Sequence, residues 1–239
     1  MYTFESRIRY SETDSEGRLT LPALLNYFQD ASTFHSEDLG MGVEYLKEQH
    51  LVWVLSSWQI VASRYPKLGD RVTIGTAPYE FKGFLGFRNF AMLAEDGSYL
   101  AKANSLWSLL NTDTGKPAIP PGAMIEGYAL EPKLSMEYAP RKIALPGQGE
   151  RRESIVVKKH HLDTNHHVNN GQYINMAMEF LPEDFAIGQM RAEYKKQAFL
   201  EDILHPYVIL SKEQCIVAFL DEEDKPYVSV EFCNSSANG

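Results

Sequence analysis

Apolar positions along the chain follow two different periods. From Leu21 to Ala31 (LPALLNYFQDA) they recur at helical spacing, and Pro22 falls near a first turn, where its missing N–H costs nothing; a buried helix is predicted over about 21–40. A short strand is expected before it, at about 2–10. From Leu51 to about Leu110 the runs LVWVLSSWQIVASRY, RVTIGTAPYEF, LGFRNFAML and YLAKANSLWSLL are β-rich. Turn signals at Lys67-Leu68-Gly69-Asp70, Lys82-Gly83 and Glu95-Asp96-Gly97 cut them into antiparallel strands. Residues 113–150 hold Pro117, Pro120, Pro121, Pro132, Pro140 and Pro146 with little alternation, as suits a connecting segment. Beyond it the order repeats: a strand at about 153–161, a helix at about 169–181, and strands near 187–198, 204–211, 213–221 and 226–233.

The halves also echo each other in sequence. Tyr10-Ser-Glu-Thr-Asp14-Ser-Glu-Gly-Arg-Leu19 before the first helix parallels His160-His-Leu-Asp163-Thr-Asn-His-His-Val168 before the second, with Asp14 and Asp163 in the same place. Tyr65-Pro-Lys-Leu-Gly-Asp70 is matched more weakly by Gln197-Ala-Phe-Leu-Glu-Asp202. One helix followed by an antiparallel sheet, done twice, predicts an α+β chain of two tandem hotdog units, each sheet wrapped around a central helix. The expected boundaries are 1–125 for the first unit, 126–150 for a linker and 151–239 for the second.

Composition narrows the functions. A chain of 239 residues that is 44% hydrophobic can bury a substantial core, and a net charge of -9 argues against a duplex nucleic-acid binder. The basic pairs Arg151-Arg152, Lys158-Lys159 and Lys195-Lys196 are candidates for docking an acidic partner, or simply solvated surface. Cys215 and Cys233 both fall in predicted strands, which fits buried, inert thiols in a reducing compartment, the cytoplasm by default. The N-terminal stretch MYTFESRIRYSETD lacks the pattern of a signal or transit peptide, and no run approaches the roughly 20 apolar residues that span a bilayer.

The stretch richest in chemistry is Asp163-Thr-Asn165-His166-His167-Val-Asn169-Asn170-Gly-Gln-Tyr173. It lies between a predicted strand and a helix start, so N–H groups of the first helical turn are available to a developing oxyanion. A thioester carbonyl forms such an oxyanion on hydrolysis, and its thiol, with a pKa of about 8.5, leaves without a strong acid. Activating water is the main task. His167 is a candidate to take the proton from water, Asp163 either orients the imidazole or is itself the base, and Asn165 holds water or carbonyl.

This stretch resembles the acyl-ACP thioesterase family of plants and bacteria, whose second hotdog carries Asp-x-Asn-x-His-Val-Asn-Asn before its central helix. The resemblance extends to Tyr10-x-x-Thr13-Asp14 and to Glu193-Tyr194-Lys195-Lys196. It implies that Asp163, Asn165 and His167 are the catalytic positions, that the first hotdog supplies most of the acyl pocket, and that fatty acyl-ACP is cleaved to free fatty acid without a cofactor. Acyl carrier protein is then the partner, and the chain is a monomeric pseudo-dimer or a homodimer. Plant members usually continue the Glu-Tyr-basic-basic strand with Glu-Cys. Here Gln197-Ala198 stands instead, which excludes a cysteine nucleophile there and leaves Gln197, with Asn169, as catalytic support.

Plainer readings stand beside these. Asp163 could be an Asx-turn or capping residue, and Asn165, Asn169 and Asn170 could satisfy turn backbone. Glu16 and Arg18 replace Asn165 and His167 in the first half, so only the second half is expected to be active. The cluster His160, His161, His166 and His167 invites a metal, but adjacent histidines rarely converge on one ion, and none is expected. Trp53 and Trp58 are candidate acyl contacts, as is the Phe81-Phe84-Phe87-Phe90 series, although strand aromatics are more often core. The alternatives are an acyl-CoA thioesterase of the same fold and a non-catalytic acyl-binding or sensing module. No G-x-S-x-G elbow, Walker A loop, G-x-G-x-x-G turn or H-E-x-x-H helix occurs.

Overall fold

The computed structural model describes residues 1–146, 148–163 and 165–235. The chain divides into two compact units, Met1–Ser56 with Ile60–Tyr138 and Ser57–Gln59 with Ala139–Gly239.

The first unit comprises β1 (Tyr2–Arg7), α1 (Leu21–Asp38), α2 (Val43–Glu48), β2 (Leu51–Ala62) apart from Ser57–Gln59, β3 (Arg71–Lys82), β4 (Leu85–Ala94), β5 (Tyr99–Asn111) and α3 (Gly122–Gly127). Its strands run in the order β1-β3-β4-β5-β2. Helix α1 starts where Thr20 Oγ1 accepts the Ala23 N–H (3.3 Å), with Pro22 in the first turn. It buries Leu21, Leu24, Leu25, Phe28 and Ala31, the i, i+3, i+4, i+7 stripe of the sequence. Each large side chain so buried is worth about 1.5–3 kcal/mol relative to exposure. The Phe28 ring meets Phe90 of β4 at 5.4 Å, which seats the helix on the sheet.

Strand β3 carries an irregularity between Pro78 and Glu80. Pro78 lies beyond the last β1 pair, Tyr2 with Thr76, so its missing N–H removes no ladder bond on that side. Its carbonyl instead accepts the Glu131 N–H (3.0 Å). Buried Asn89 holds the same segment: its Oδ1 accepts the Leu134 N–H and the Tyr138 hydroxyl, both at 3.0 Å. The stretch expected as a linker, about 126–150, is thus divided, its first part packed on β3 and β4 and the part from Ala139 belonging to the second unit.

The second unit comprises β6 (Glu150–Arg151), β7 (Ile155–Val156), α4 (Asn170–Met178), β8 (Ile187–Tyr194), β9 (Ile203–Leu210), β10 (Gln214–Leu220) and β11 (Pro226–Asn234). The order is β8-β11-β10-β9-β6, with β7 also on β9. Helix α4 buries Tyr173, Ile174, Met176 and Ala177, and Tyr173 meets Phe219 of β10 at 5.8 Å. The strand expected over 153–161 is a correction: only Ile155–Val156 pair, and Lys159–His161 form a 3-10 turn. The cause is local, since His161 Nδ1 accepts the Lys158 N–H (3.0 Å) and curls the chain out of the extended state.

Both cysteines are free thiols, Cys215 buried and Cys233 only half-buried. Burial pushes the Cys215 thiol up to about 11 and raises that of Cys233, which keeps both protonated and poorly nucleophilic. Among the described residues, no helix is long and apolar enough to cross a membrane.

Candidate active site

The two sequence echoes share a common set of hydrogen bonds. In the first unit Asp14 N donates to Arg18 O (2.8 Å), Gly17 N to Asp14 O (3.0 Å), and Thr13 bridges Leu19. In the second Asp163 N donates to His167 O (2.8 Å), His166 N to Asp163 O (3.1 Å), and Leu162 bridges Val168. Thr20 N reaches Glu12 O (2.9 Å) as Asn169 N reaches His161 O (2.8 Å). Leu19 N donates to Pro66 O and Val168 N to Ala198 O, which carries the match into the second echo. There Asp70 Oδ2 accepts the Lys67 N–H (2.8 Å) and Asp202 Oδ2 the Phe199 N–H (2.9 Å).

Within this frame the Asp163 carboxylate is a turn acceptor. Its Oδ1 takes the N–H groups of Asn165 (2.8 Å) and His167 (3.3 Å), as Asp14 Oδ1 takes those of Glu16 and Arg18 (both 2.9 Å). Among the described residues no hydrogen bond joins Asp163 to the His167 imidazole. His166 occupies the left-handed slot with φ +63°, where the first unit has Gly17 at +71°. A non-glycine residue there is uncommon and strained.

Asn165 is exposed and His167 half-buried, its ring edge-on to Phe199 at 4.9 Å. In the matching frame of the first unit, Arg18 Nη1 and Glu16 Oε2 meet at 3.0 Å, so the side chains of Glu16 and Arg18 lie on one side of that turn. Asn169 caps α4 by accepting the Gly171 N–H (2.8 Å), and the Asn170 N–H meets no acceptor among the described residues. The Tyr194 hydroxyl donates to Asn170 O (3.1 Å). Exposed Gln197 lies between that tie and Ala198, whose carbonyl receives Val168 N (2.9 Å). Glu193 is buried, accepting the Ile143 N–H (3.1 Å) with Lys195 Nζ at 3.4 Å, and is therefore engaged in structure.

Sequence reasoning missed His161, Tyr194 and Ala198 as supports of the loop. The doubled echo was the signal for His161 and Ala198, which stand where Glu12 and Pro66 do. Burial, and the neighbouring His160 and Lys158, lower the His161 pKa and keep its Nδ1 an acceptor. Among the described residues no three His, Cys, Asp or Glu side chains converge as metal ligands.

Of the basic pairs, Arg151 is bound to Asp224, Arg152 to Glu150, Lys195 to Glu193 and Lys196 to Asp221. Lys158 and Lys159, just before the loop, are exposed and form no ion pair among the described residues. In the first unit Trp53 is half-buried, its ring 6.0 Å from Phe81. Trp58 is buried, and of the Phe81-Phe84-Phe87-Phe90 series only Phe90 is fully so.

Two tandem units, each an antiparallel sheet on one helix, with a polar turn feeding the second helix, define a double hotdog protein. The family model for the acyl-ACP thioesterase N-terminal domain matches residues 1–128 and that for the C-terminal domain residues 146–225; the chain belongs to the acyl-ACP thioesterase family. Relatives include an acyl-[acyl-carrier-protein] hydrolase, FATB2, chloroplastic, of Cuphea viscosissima, 25% identical over 82% of this chain and 52% of its own length. Another is the palmitoyl-acyl carrier protein thioesterase, chloroplastic, of Gossypium hirsutum, also 25% identical, over 85% and 54%. The chain thus spans about half the length of these plant relatives. Its fold matches an acyl-ACP thioesterase from Bacteroides thetaiotaomicron at TM-score 0.89, with 24% identity over 97% of this chain and 96% of that one. It also matches a 12:0-ACP thioesterase from Umbellularia californica at TM-score 0.82, with 20% identity over 97% and 96%.

Proposed function

We propose that the protein hydrolyses the thioester of a fatty acyl chain carried on acyl carrier protein, releasing a free fatty acid and the carrier thiol. The observation that carries this reading is the loop frame of the second unit, which repeats that of the first while replacing the Glu16–Arg18 ion pair by Asn165 and His167. Water attacks the carbonyl carbon as His167 takes its proton; the C–S bond then breaks, and the proton passes to the departing thiolate. Asn165 and the Asn170 N–H stabilise the oxyanion, each such donor being worth about 3–4 kcal/mol in the transition state. In this reading Asp163 acts by fixing the turn, its Oδ1 accepting two backbone N–H groups. Gln197 and Asn169 support the loop from its two sides.

Lys158 and Lys159 form the docking point for the acidic carrier, as the basic pair beside the loop that makes no ion pair among the described residues. Trp53 and Trp58 are the proposed acyl contacts. Two free thiols fit a reducing compartment, for which we propose the cytoplasm.

The test is thiol release from octanoyl-, lauroyl- and palmitoyl-ACP beside the matching CoA esters, for native protein and His167→Ala. ACP-linked turnover that falls at least about 100-fold in the variant, or roughly 2.7 kcal/mol, supports the reading. Acyl binding without turnover of any ester would make the protein a binding module.

A further inference from the structure

The first unit contains a guanidinium that the turn chemistry does not use. Arg88, on β4, keeps only 8% of its surface accessible, yet no carboxylate pairs with it among the described residues. Its Nη1 contacts His35 Nδ1 of α1 (3.1 Å) and donates to Thr76 Oγ1 of β3 (3.2 Å), and its Cζ stands 5.3 Å from the centre of the Tyr128 ring. Both hydrogen bonds use one nitrogen; Nε and Nη2 meet no acceptor among the described residues. Burial lowers the Arg88 pKa to about 10, so the group is still charged at neutral pH. Burial also lowers His35 to about 4, aided by the Arg88 charge, and its neutral Nδ1 is the acceptor. A buried cation without a counter-ion is costly, and two neutral acceptors and one ring do not replace an anion.

Aromatic side chains flank this guanidinium. Gly86 and Arg88 share one face of β4, two residues apart. A Cβ at Gly86 would meet Trp53 at 3.1 Å and Phe81 at 3.2 Å, so these rings lie directly over it. Phe81 in turn stands 5.9 Å from Tyr128, and Tyr128 5.7 Å from His35. A series of aromatic side chains therefore runs from Trp53 through Phe81 and Tyr128 to Arg88, apolar along its length and cationic at its end.

We propose that Arg88, positioned by His35 and Thr76, anchors a binding site for an aliphatic carboxylate whose chain lies along Phe81 and Trp53. The free Nε and Nη2 edge matches a carboxylate in the two-pronged manner available to arginine and not to lysine. The same chemistry has two sources: a released fatty acid, or the far end of an acyl chain that carries a second carboxyl group. The second source rests on the hydrolase reading above; the binding site itself does not.

The experiment is calorimetric titration of decanoate and of decanol into the native protein, Arg88→Met and Arg88→Lys, with circular dichroism to confirm folding. Arg88→Met removes the charge at similar length, and Arg88→Lys keeps the charge without the fork. Native protein is expected to bind decanoate at least about 10-fold tighter than decanol, with the preference lost in Arg88→Met and weakened in Arg88→Lys. Equal binding of the two ligands to native protein, or unchanged decanoate binding in a folded Arg88→Met, overturns the site. Two activity arms then separate the sources. Inhibition by decanoate that disappears in Arg88→Met assigns the carboxylate to product. Faster turnover of an ω-carboxyl acyl-ACP than of the methyl-ended chain of equal length, lost in Arg88→Met, assigns it to substrate. Absence of all turnover with the binding preference intact defeats the hydrolase reading and leaves the site standing.

Discussion

The carboxylate of Asp163 and that of Asp14 perform the same local task, each Oδ1 accepting two backbone N–H groups, two and four residues further on. An asparagine keeps that acceptor and an alanine does not. Asp163→Asn is therefore expected to retain thioester turnover within about 10-fold of native, whereas Asp163→Ala loses about 100-fold. Initial rates of thiol release from one acyl-ACP check this. Equal and severe losses in both variants would make Asp163 the base.

His166 holds a backbone conformation with φ +63° that its counterpart Gly17 adopts without steric cost. His166→Gly relieves about 1–2 kcal/mol of left-handed strain, partly offset by the added freedom of the unfolded chain. The expected outcome is a thermal midpoint raised by about 2 °C, since 1 kcal/mol moves a chain of this size by about 2–4 °C. A scan showing an unchanged or lower midpoint would mean that the histidine side chain contributes as much as the strain removes.

The His35 imidazole, with its pKa lowered to about 4 by burial and by Arg88 and the N-terminal amine against the opposing pull of Asp38, links stability to pH. The unfolded chain takes up this proton near pH 6.5 and the folded chain does not until about 4. The contribution is thus fully present above about 6.5 and is lost as pH falls toward 4. Urea midpoints should drop more steeply over that window for native protein than for His35→Gln, which keeps an acceptor for Arg88 without a titrating ring. Parallel curves would remove His35 from the account.

Lys158 and Lys159 are tested by reversing their charge. The double variant Lys158→Glu, Lys159→Glu should raise KM for acyl-ACP about 10-fold and weaken its salt dependence. Turnover of a neutral N-acetylcysteamine thioester should stay within about 2-fold, because steering by charge acts on the carrier and not on the acyl group. An unchanged KM for acyl-ACP would place docking elsewhere.

The long elements were legible because period is a property of consecutive residues. Leu21, Leu24, Leu25 and Phe28 announce α1, and the β-rich runs after Leu51 become β2 to β5. The six-residue helices α2 and α3 were not, since fewer than two turns carry no period. The strand expected over 153–161 failed because one side-chain bond, from Lys158 N to His161 Nδ1, decides that segment. The candidate site was legible as far as it lies in one stretch and repeats: Asp163, Asn165 and His167 share a turn because Asp14, Glu16 and Arg18 do. Arg88 and His35 stand 53 residues apart on different elements, and nothing in the order of residues links them before the fold does.

The ion pair between Glu16 and Arg18 has a genetic consequence. A homodimer built from single-unit chains must carry two identical loops, so any codon change alters both copies together. Here both copies lie on one polypeptide, and a change at 165 or 167 leaves 16 and 18 untouched. Side chains at 16 and 18 can therefore differ from those at 165 and 167 while Asp14 and Asp163 keep the same turn in both copies.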